Sequence, residues 1–210
     1  MIRVLIVDDH AIVRRGLRQI LADAGDIEVA GEVEDYAGLT AWLRDDAPDV
    51  LLLDISLPGK SGIDILKSVR ERHPKLPVLM LSMFPEDQYA MRALKAGASG
   101  YLTKDAAPEL LIEAVRCAAS GKKYVSSALA AMLAERISEP VSGDPHQRLS
   151  DREFETLKLI ASGRKLSEMA EQMHLSPKTV SVYRARLLEK LNLRTNTELT
   201  HYAIRHGLID

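Results

Sequence analysis

One stretch constrains the fold of this chain more than any other, residues 49–59 with the sequence DVLLLDISLPG. Its four consecutive aliphatic residues, 50–53, are typical of a strand that is buried on both faces of a parallel sheet. Asp54 follows this run directly, although an ionised carboxylate is costly to bury without a partner or a metal. Ligands of open α/β sheets bind at the carboxyl ends of the strands. Asp54 is therefore either a functional carboxylate or the cap of the next loop.

The 210 residues suffice for one or two domains with a substantial core. No apolar run approaches the roughly 18 residues of a membrane span, and no secretory signal opens the chain. We therefore expect a cytoplasmic protein with no membrane partner. The single cysteine, Cys117, excludes an internal disulfide framework, and we interpret it as an inert core thiol.

The charge is distributed unevenly along the chain. Residues 1–125 carry 16 Lys and Arg against 19 Asp and Glu, a balance of −3, whereas residues 148–210 carry 11 against 8, a balance of +3. An acidic first part and a mildly basic last part indicate two different tasks. The basic excess is too small to establish nucleic-acid binding by itself.

Short apolar runs alternate with helical patterns along the first 121 residues. The predicted strands cover residues 3–7, 27–33, 49–54, 77–81 and 99–102. A helical pattern follows each strand, and the last helix begins at Pro108 and ends near Gly121. Five strands alternating with five helices predict an α/β domain with a doubly wound, five-stranded parallel sheet.

Polar residues follow the predicted strands. Asp8 and Asp9 come after the first strand, Asp54 ends the third, Ser82 the fourth and Lys104 the fifth. Because right-handed crossovers bring these strand ends to one edge, the carboxylates crowd together and require a cation. A hard divalent ion that keeps several waters describes Mg²⁺. With a lysine and a hydroxyl nearby, this set suits a carboxylate nucleophile that accepts a phosphoryl group.

The same residues, with Tyr101, resemble the receiver domain of bacterial response regulators over about 120 residues. The resemblance implies that the sheet is flavodoxin-like and that Asp54 is the phospho-acceptor. It also implies that Mg²⁺ is bound by Asp9, Asp54 and the main-chain carbonyl of Ser56, while Asp8 acts through water. His10, beside the acidic pair, we interpret as loop surface.

The resemblance also implies a switch. Lys104 would pair with the phosphoryl oxygens, Ser82 would turn towards the phosphate, and Tyr101 would follow it into the vacated space. The alternative for Tyr101 is a partly buried strand aromatic without a switching role. Ser82 stands where Thr is commoner in receivers, and Asp105 where many have Pro. The serine keeps the hydroxyl.

A second domain follows a linker. Residues 126–137 have helical composition, and residues 138–147, SEPVSGDPHQ, read as a flexible linker because they are rich in Pro and poor in apolar residues. We expect a receiver over residues 1–122, a linker with one helix over 123–147, and an all-α domain over 148–210.

The all-α domain has clear helix starts. Ser150 and Glu153 form a capping box before the first helix, and Ser176 and Pro177 open the third, which runs to about Leu191. A short helix over residues 166–173 precedes the third, and a fourth covers 197–206. Two helices joined by a tight turn predict a helix-turn-helix.

The third helix presents small or polar residues on its outward face, as a helix that enters a major groove requires. The candidate base contacts are Ser181, Val182 and Ala185. The candidate phosphate contacts are Lys178, Thr179, Arg186 and Lys190. Residues 149–195 are similar to the LuxR-type output domain of NarL/FixJ response regulators, some of which carry Lys at the positions of Ser181 and Ala185.

Together these patterns and the two resemblances predict a transcription factor that is switched by phosphorylation. The expected partners are a sensor histidine kinase, promoter DNA with inverted half-sites, a second copy of the phosphorylated chain, and RNA polymerase. The receiver would catalyse only its own phosphorylation and dephosphorylation. One alternative is a phosphatase with an aspartyl-phosphate intermediate, which usually needs an acid where this chain has Ser56. Another is a helix-turn-helix that binds a protein instead of DNA.

Overall fold

The apolar runs within residues 2–103 form a single all-parallel sheet in a computed structural model that describes residues 1–138 and 145–209. The strands are β1 Ile2–Val7, β2 Ile27–Val33, β3 Val50–Asp54, β4 Val78–Ser82 and β5 Gly100–Thr103. Their order, β2-β1-β3-β4-β5, confirms the doubly wound, flavodoxin-like sheet. Strand β4 begins one residue later than predicted, because Pro77 has no N–H to donate. The carbonyl of Pro77 nevertheless accepts from the Leu51 N–H at 2.9 Å.

Helices cover both faces of this sheet. They are α1 Ala11–Asp23, α2 Tyr36–Asp45, α3 Gly62–Arg72, α4 Glu86–Lys95 and α5 Pro108–Ala119. On one face, α1 and α5 cover alternate strand residues such as Ile6, Leu52 and Leu81, all of them buried. Because successive side chains of a strand point to opposite faces, neighbours such as Leu53 lie on the opposite face. The central strands are thus apolar on both faces, as predicted.

The predicted helix of the linker is α6, Ser127–Ser138. It contacts α4, and the Ser126 hydroxyl just before it is hydrogen-bonded to Glu86 of α4. Contacts divide the chain into units Met1–Ser138 and Glu139–Asp210, so α6 groups with the first unit. Most of the predicted flexible linker, residues 139–144, lies outside the described residues, and Pro145–Arg148 form a short 3₁₀ helix.

The second unit is all-α. Its helices are α7 Asp151–Ala161, α8 Leu166–Gln172, α9 Pro177–Leu191 and α10 Asn196–Arg205. Helix α7 contacts both α9 and α10, and α8 contacts α9. Buried side chains from two of these helices, Val180 and Leu187 of α9 and Leu199 of α10, contribute to the core. Within the described residues, no helix combines the length and the apolar composition that a membrane span requires.

Candidate functional site

Three strand ends bring the acidic residues and Lys104 together. Asp54 is the last residue of β3, Asp8 and Asp9 follow β1, and Lys104 follows β5. Strands β1 and β3 are neighbours, with Val7 opposite Leu53, so the carboxyl ends of both strands meet at one edge of the sheet. The side chains of Asp8 and Asp54 are fully buried there.

Lys104 links the two buried carboxylates. Its Nζ lies 2.7 Å from Asp8 Oδ2 and 2.8 Å from Asp54 Oδ2. The ammonium is itself 5% exposed, so little water screens these contacts. The sequence indicated that Lys104 was near the acidic residues, and the structure places it between two of them.

Burial and neighbouring charges shift the pKa of both Asp54 and Lys104. Burial raises the pKa of Asp54, and the charge of Asp8 adds to the rise, which Lys104 opposes without cancelling it. Burial alone would lower the pKa of the Lys104 ammonium, but the charges of Asp54 and Asp8 outweigh burial and raise it. One ammonium beside these carboxylates leaves an excess of negative charge, which favours a second cation.

The donor atoms suit a divalent metal. Oxygens of Asp8, Asp9 and Asp54 and a ring nitrogen of His10 all lie within 4.8 Å of one another. Carboxylate oxygens are the ligands that Mg²⁺ prefers in proteins, so the residues present fit that ion. His10, which we expected at the loop surface, adds a nitrogen donor to this cluster. Its side chain is 55% exposed, and its Nδ1 lies 2.8 Å from Asp9 Oδ1.

The loop after β3 holds Asp54 by main-chain contacts. The Ser56 N–H donates to Asp54 Oδ1 at 3.1 Å. The chain then returns so closely that a Cβ on Gly62 would lie 2.2 Å from the main-chain oxygen of Asp54. Glycine is therefore required at the start of α3, a constraint that only the folded loop reveals. The role of the Ser56 carbonyl as a metal ligand stays a prediction.

Ser82 and Tyr101 bind the same residue, Phe84, in the loop after β4. The Phe84 N–H donates to Ser82 Oγ at 3.0 Å, and the Tyr101 hydroxyl donates to the Phe84 carbonyl at 2.7 Å. Tyr101 is fully buried. The two predicted switch residues are thus connected through one peptide segment, which the sequence alone did not indicate.

The predicted capping box is confirmed at the start of α7. The Ser150 N–H donates to Glu153 Oε2 at 2.8 Å, and the Glu153 N–H donates to Ser150 Oγ at 3.4 Å. Lys190 of α9 also reaches Glu153, with its Nζ 2.7 Å from Oε2. Burial would raise the pKa of Glu153, but hydrogen bonds from Lys190 and Ser150 outweigh it and lower the pKa. The predicted phosphate contact Lys190 therefore also joins α9 to α7.

A tight turn joins α8 to α9, as the helix-turn-helix prediction requires. His174 has a φ of 53°, in the left-handed region where glycine is common. Its N–H donates to the Glu171 carbonyl, and the Leu175 N–H donates to the Ala170 carbonyl. Ser176 then caps α9 by accepting from the Thr179 N–H at 3.1 Å.

Most of the predicted DNA contacts lie on the open face of α9. The exposed ones are Lys178, Ser181, Val182, Ala185, Arg186 and Lys190. Thr179, the remaining predicted contact, is half-buried instead of exposed, and its hydroxyl is hydrogen-bonded to Ser176 Oγ at 2.8 Å. The opposite face of the helix carries buried Val180, Leu187 and Leu191. Helix α9 therefore presents short side chains between basic ones, as a major-groove helix requires.

A parallel α/β unit with a buried acidic and lysine site, followed by a helix-turn-helix unit, is the organisation of a regulatory protein. Comparisons with known proteins agree with this class. The response regulator receiver domain family matches residues 4–116. The luxR family of bacterial regulatory proteins matches residues 147–203.

Several relatives match this chain over nearly its whole length. The response regulator UvrY of Escherichia coli K12 is 41% identical over 209 residues, which cover 99% of this chain and 96% of UvrY. The response regulator GacA of Pseudomonas protegens is 37% identical over 210 residues, covering 100% of this chain and 99% of GacA. RcsB of Salmonella enterica serovar Typhimurium, solved bound to promoter rprA in the presence of phosphomimetic BeF₃⁻, has a TM-score of 0.63 at 30% identity. That match covers 96% of this chain and 97% of RcsB.

The chain therefore belongs to the two-component response regulators, in the NarL/FixJ branch that joins a receiver to a LuxR-type DNA-binding domain. It is a regulator of transcription, and membership of this family favours that function over the phosphatase alternative. Members of this family act with a histidine kinase and bind promoter DNA.

Proposed function

We propose that Asp54 accepts a phosphoryl group from a partner histidine kinase and thereby controls dimerisation and promoter binding. The observation that carries this proposal is the buried Asp54 carboxylate with Lys104 Nζ at 2.8 Å, at the carboxyl edge of the sheet. A carboxylate held there is a nucleophile with a cation beside the position of the incoming phosphoryl oxygens.

The transfer would exchange one bond to phosphorus for another. An Asp54 oxygen forms a bond to phosphorus while the bond from phosphorus to the donor histidine nitrogen breaks, and the imidazole leaves with the electron pair. Lys104 stays charged and turns from the carboxylate towards the phosphoryl oxygens. Hydrolysis of the same acyl phosphate by water would return Asp54 to a free carboxylate and release inorganic phosphate.

The residues proposed to hold Mg²⁺ are Asp9, Asp54 and the Ser56 carbonyl, with Asp8 acting through water. When bound, Mg²⁺ would supply charge neutralisation for the phosphoryl oxygens. The excess negative charge around one ammonium supports this assignment, because a dication lowers the repulsion between Asp8 and Asp54.

The proposed switch acts through Phe84. A phosphoryl group on Asp54 offers a strong acceptor to the Ser82 hydroxyl, which would then rotate away from the Phe84 N–H. Because Tyr101 is bound to the carbonyl of that residue, the segment and the ring would move together. A buried ring that changes position alters the nearby surface, which supports a phosphorylation-dependent homodimer.

Helix α9 is the proposed DNA-reading element. The RcsB structure with promoter DNA supports this assignment, as do the exposed short side chains at Ser181, Val182 and Ala185. A twofold dimer would read inverted half-sites. We further propose that the DNA-bound dimer contacts RNA polymerase. Lys178→Ala should weaken duplex binding for all sequences and reduce the salt slope by about one. A helix-turn-helix that binds a partner protein and shows no salt-dependent binding to duplex DNA would contradict DNA recognition.

Phosphoryl uptake tests the acceptor directly. Intact-protein mass spectrometry after incubation with acetyl phosphate and Mg²⁺ should detect a phosphorylated wild type and an unmodified Asp54→Asn variant. The control is Asp64→Asn, which changes a carboxylate of α3 that is 45% exposed and should leave uptake intact. Uptake by Asp54→Asn at the wild-type level would move the acceptor to another residue.

A further inference from the structure

Arg14 is a buried cation beside the acidic site that the function described above does not use. It lies on α1 with its side chain 10% exposed. Its Nη1 donates to the main-chain carbonyl of Asp8 at 2.6 Å, and its Nη2 donates to Glu34 Oε1 at 2.5 Å. Its Nε lies 3.5 Å from Glu32 Oε2. One guanidinium therefore connects the acidic turn to the end of β2.

The peptide groups at Asp8 are held from both sides. The Asp8 N–H donates to the Val33 carbonyl at 3.2 Å, while the Asp8 carbonyl accepts from Arg14. That carbonyl belongs to the peptide bond between Asp8 and Asp9, so its orientation governs where both carboxylates point. A planar guanidinium with several fixed donors can hold such an orientation, which a lysine ammonium cannot reproduce.

We propose that Arg14 is a positioning residue for the metal site and sets its Mg²⁺ affinity by holding the Asp8–Asp9 peptide against Glu34. This inference rests on the Mg²⁺ site of the proposed function. Groups that orient metal ligands typically contribute 10- to 100-fold to metal affinity.

The sign of the effect separates positioning from charge. A positive charge near a site for a dication opposes binding, so removing Arg14 should tighten Mg²⁺ binding if only its charge mattered. Positioning predicts the opposite, because the freed peptide lets Asp8 and Asp9 leave the orientation that binds the ion. A purely structural role predicts a lower unfolding midpoint and an unchanged affinity.

Electron paramagnetic resonance of free Mn²⁺, with Mg²⁺ as competitor, measures the affinity on the full chain. Arg14→Met should weaken Mg²⁺ binding by about 10-fold or more. Arg18→Met is the matched control, since Arg18 lies one turn further along α1 and pairs with Glu32 without a described contact to Asp8. This control should stay within about twofold of wild type.

Affinity in Arg14→Met equal to or tighter than that of wild type would overturn the inference. Should that variant fail to fold, Arg14→Lys decides, because it keeps the charge but cannot span the Asp8 carbonyl and Glu34 together. Intermediate weakening is expected for Arg14→Lys, and wild-type affinity would overturn the proposal. A wild type that binds neither ion would instead refute the proposed Mg²⁺ site, and the inference with it.

Discussion

Replacing Lys104 by methionine should destabilise the receiver unit strongly at neutral pH. The substitution leaves Asp8 and Asp54 buried without the ammonium that now lies 2.7 and 2.8 Å from them. Removing one partner of a buried ion pair typically costs about 3–5 kcal/mol. The loss of stability has an upper limit, because Asp54 can take up a proton instead of staying charged. In the unfolded chain Asp54 has an ordinary pKa near 3.9, so protonating it at pH 7 costs about 4 kcal/mol.

The stability of Lys104→Met should depend on pH, because Asp54 can take up a proton. Burial already raises the pKa of Asp54, and without Lys104 the pKa should rise further above its value in the unfolded chain. The folded variant then binds more protons than the unfolded variant, so its stability falls as pH rises through that interval. At pH 5 the protonation cost is only about 1.5 kcal/mol. The deficit relative to wild type should therefore shrink on acidification, and added Mg²⁺ should reduce it at pH 7.

Urea denaturation followed by tryptophan fluorescence measures the free energy of unfolding of the receiver unit. Trp42 of α2 is the single tryptophan of the chain, so its signal reports the receiver unit. Lys67→Met is the control, because its exposed pair with Asp64 at 3.3 Å contributes at most about 1 kcal/mol. A loss below about 1 kcal/mol for Lys104→Met at pH 7, or one that does not change with pH, would refute the buried-pair reasoning.

Three further substitutions test separate parts of the structure. Gly62→Ala places a Cβ within 2.2 Å of the Asp54 carbonyl oxygen, so it should destabilise the receiver unit by about 1–3 kcal/mol or more and reduce phosphoryl uptake. Uptake at the wild-type level would contradict this close approach. His174→Val puts a β-branched residue at a φ of 53°, a region that β-branched residues adopt far less readily than His, and should lower the stability of the second unit, which calorimetry with His174→Gly as the tolerated control would detect. Lys190→Met removes the ion pair that lowers the pKa of Glu153 from its ordinary 4.5, a stabilisation present above that pH and lost as pH falls through the lowered pKa. The variant should therefore be less stable than wild type at pH 7 and equal to it in strong acid, and a constant difference in circular-dichroism titrations would exclude the linkage.

Strand-end positions were predictable because they depend on periodicity. The aliphatic run before Asp54 required a strand buried on both faces, and parallel strands place their carboxyl ends together. Asp8 and Lys104 were predictable in the same way, because they follow other strands of the same sheet. Periodicity could not reveal that one ammonium contacts two carboxylates, because such a distance depends on the side-chain path through the folded core.

Contacts to the main chain left no signal in the sequence. Arg14 occupies an ordinary helical position, and only the folded turn shows that its guanidinium meets the Asp8 carbonyl. Similarly, Ser82 and Tyr101 are 19 residues apart, and their common partner Phe84 becomes visible only when β4 and β5 pair. His174 occupies a left-handed turn position usually filled by glycine, so turn chemistry alone could not indicate its φ.

Phosphorylation of Asp54 should control DNA binding. Fluorescence anisotropy of a promoter duplex, with and without Mg²⁺ and acetyl phosphate, tests it directly when wild type is compared with Asp54→Asn. We expect the phosphodonor to tighten binding by wild type and to have no effect on the variant. Equal tightening in both proteins, or DNA binding by wild type that does not respond to the phosphodonor, would contradict control of DNA binding by Asp54.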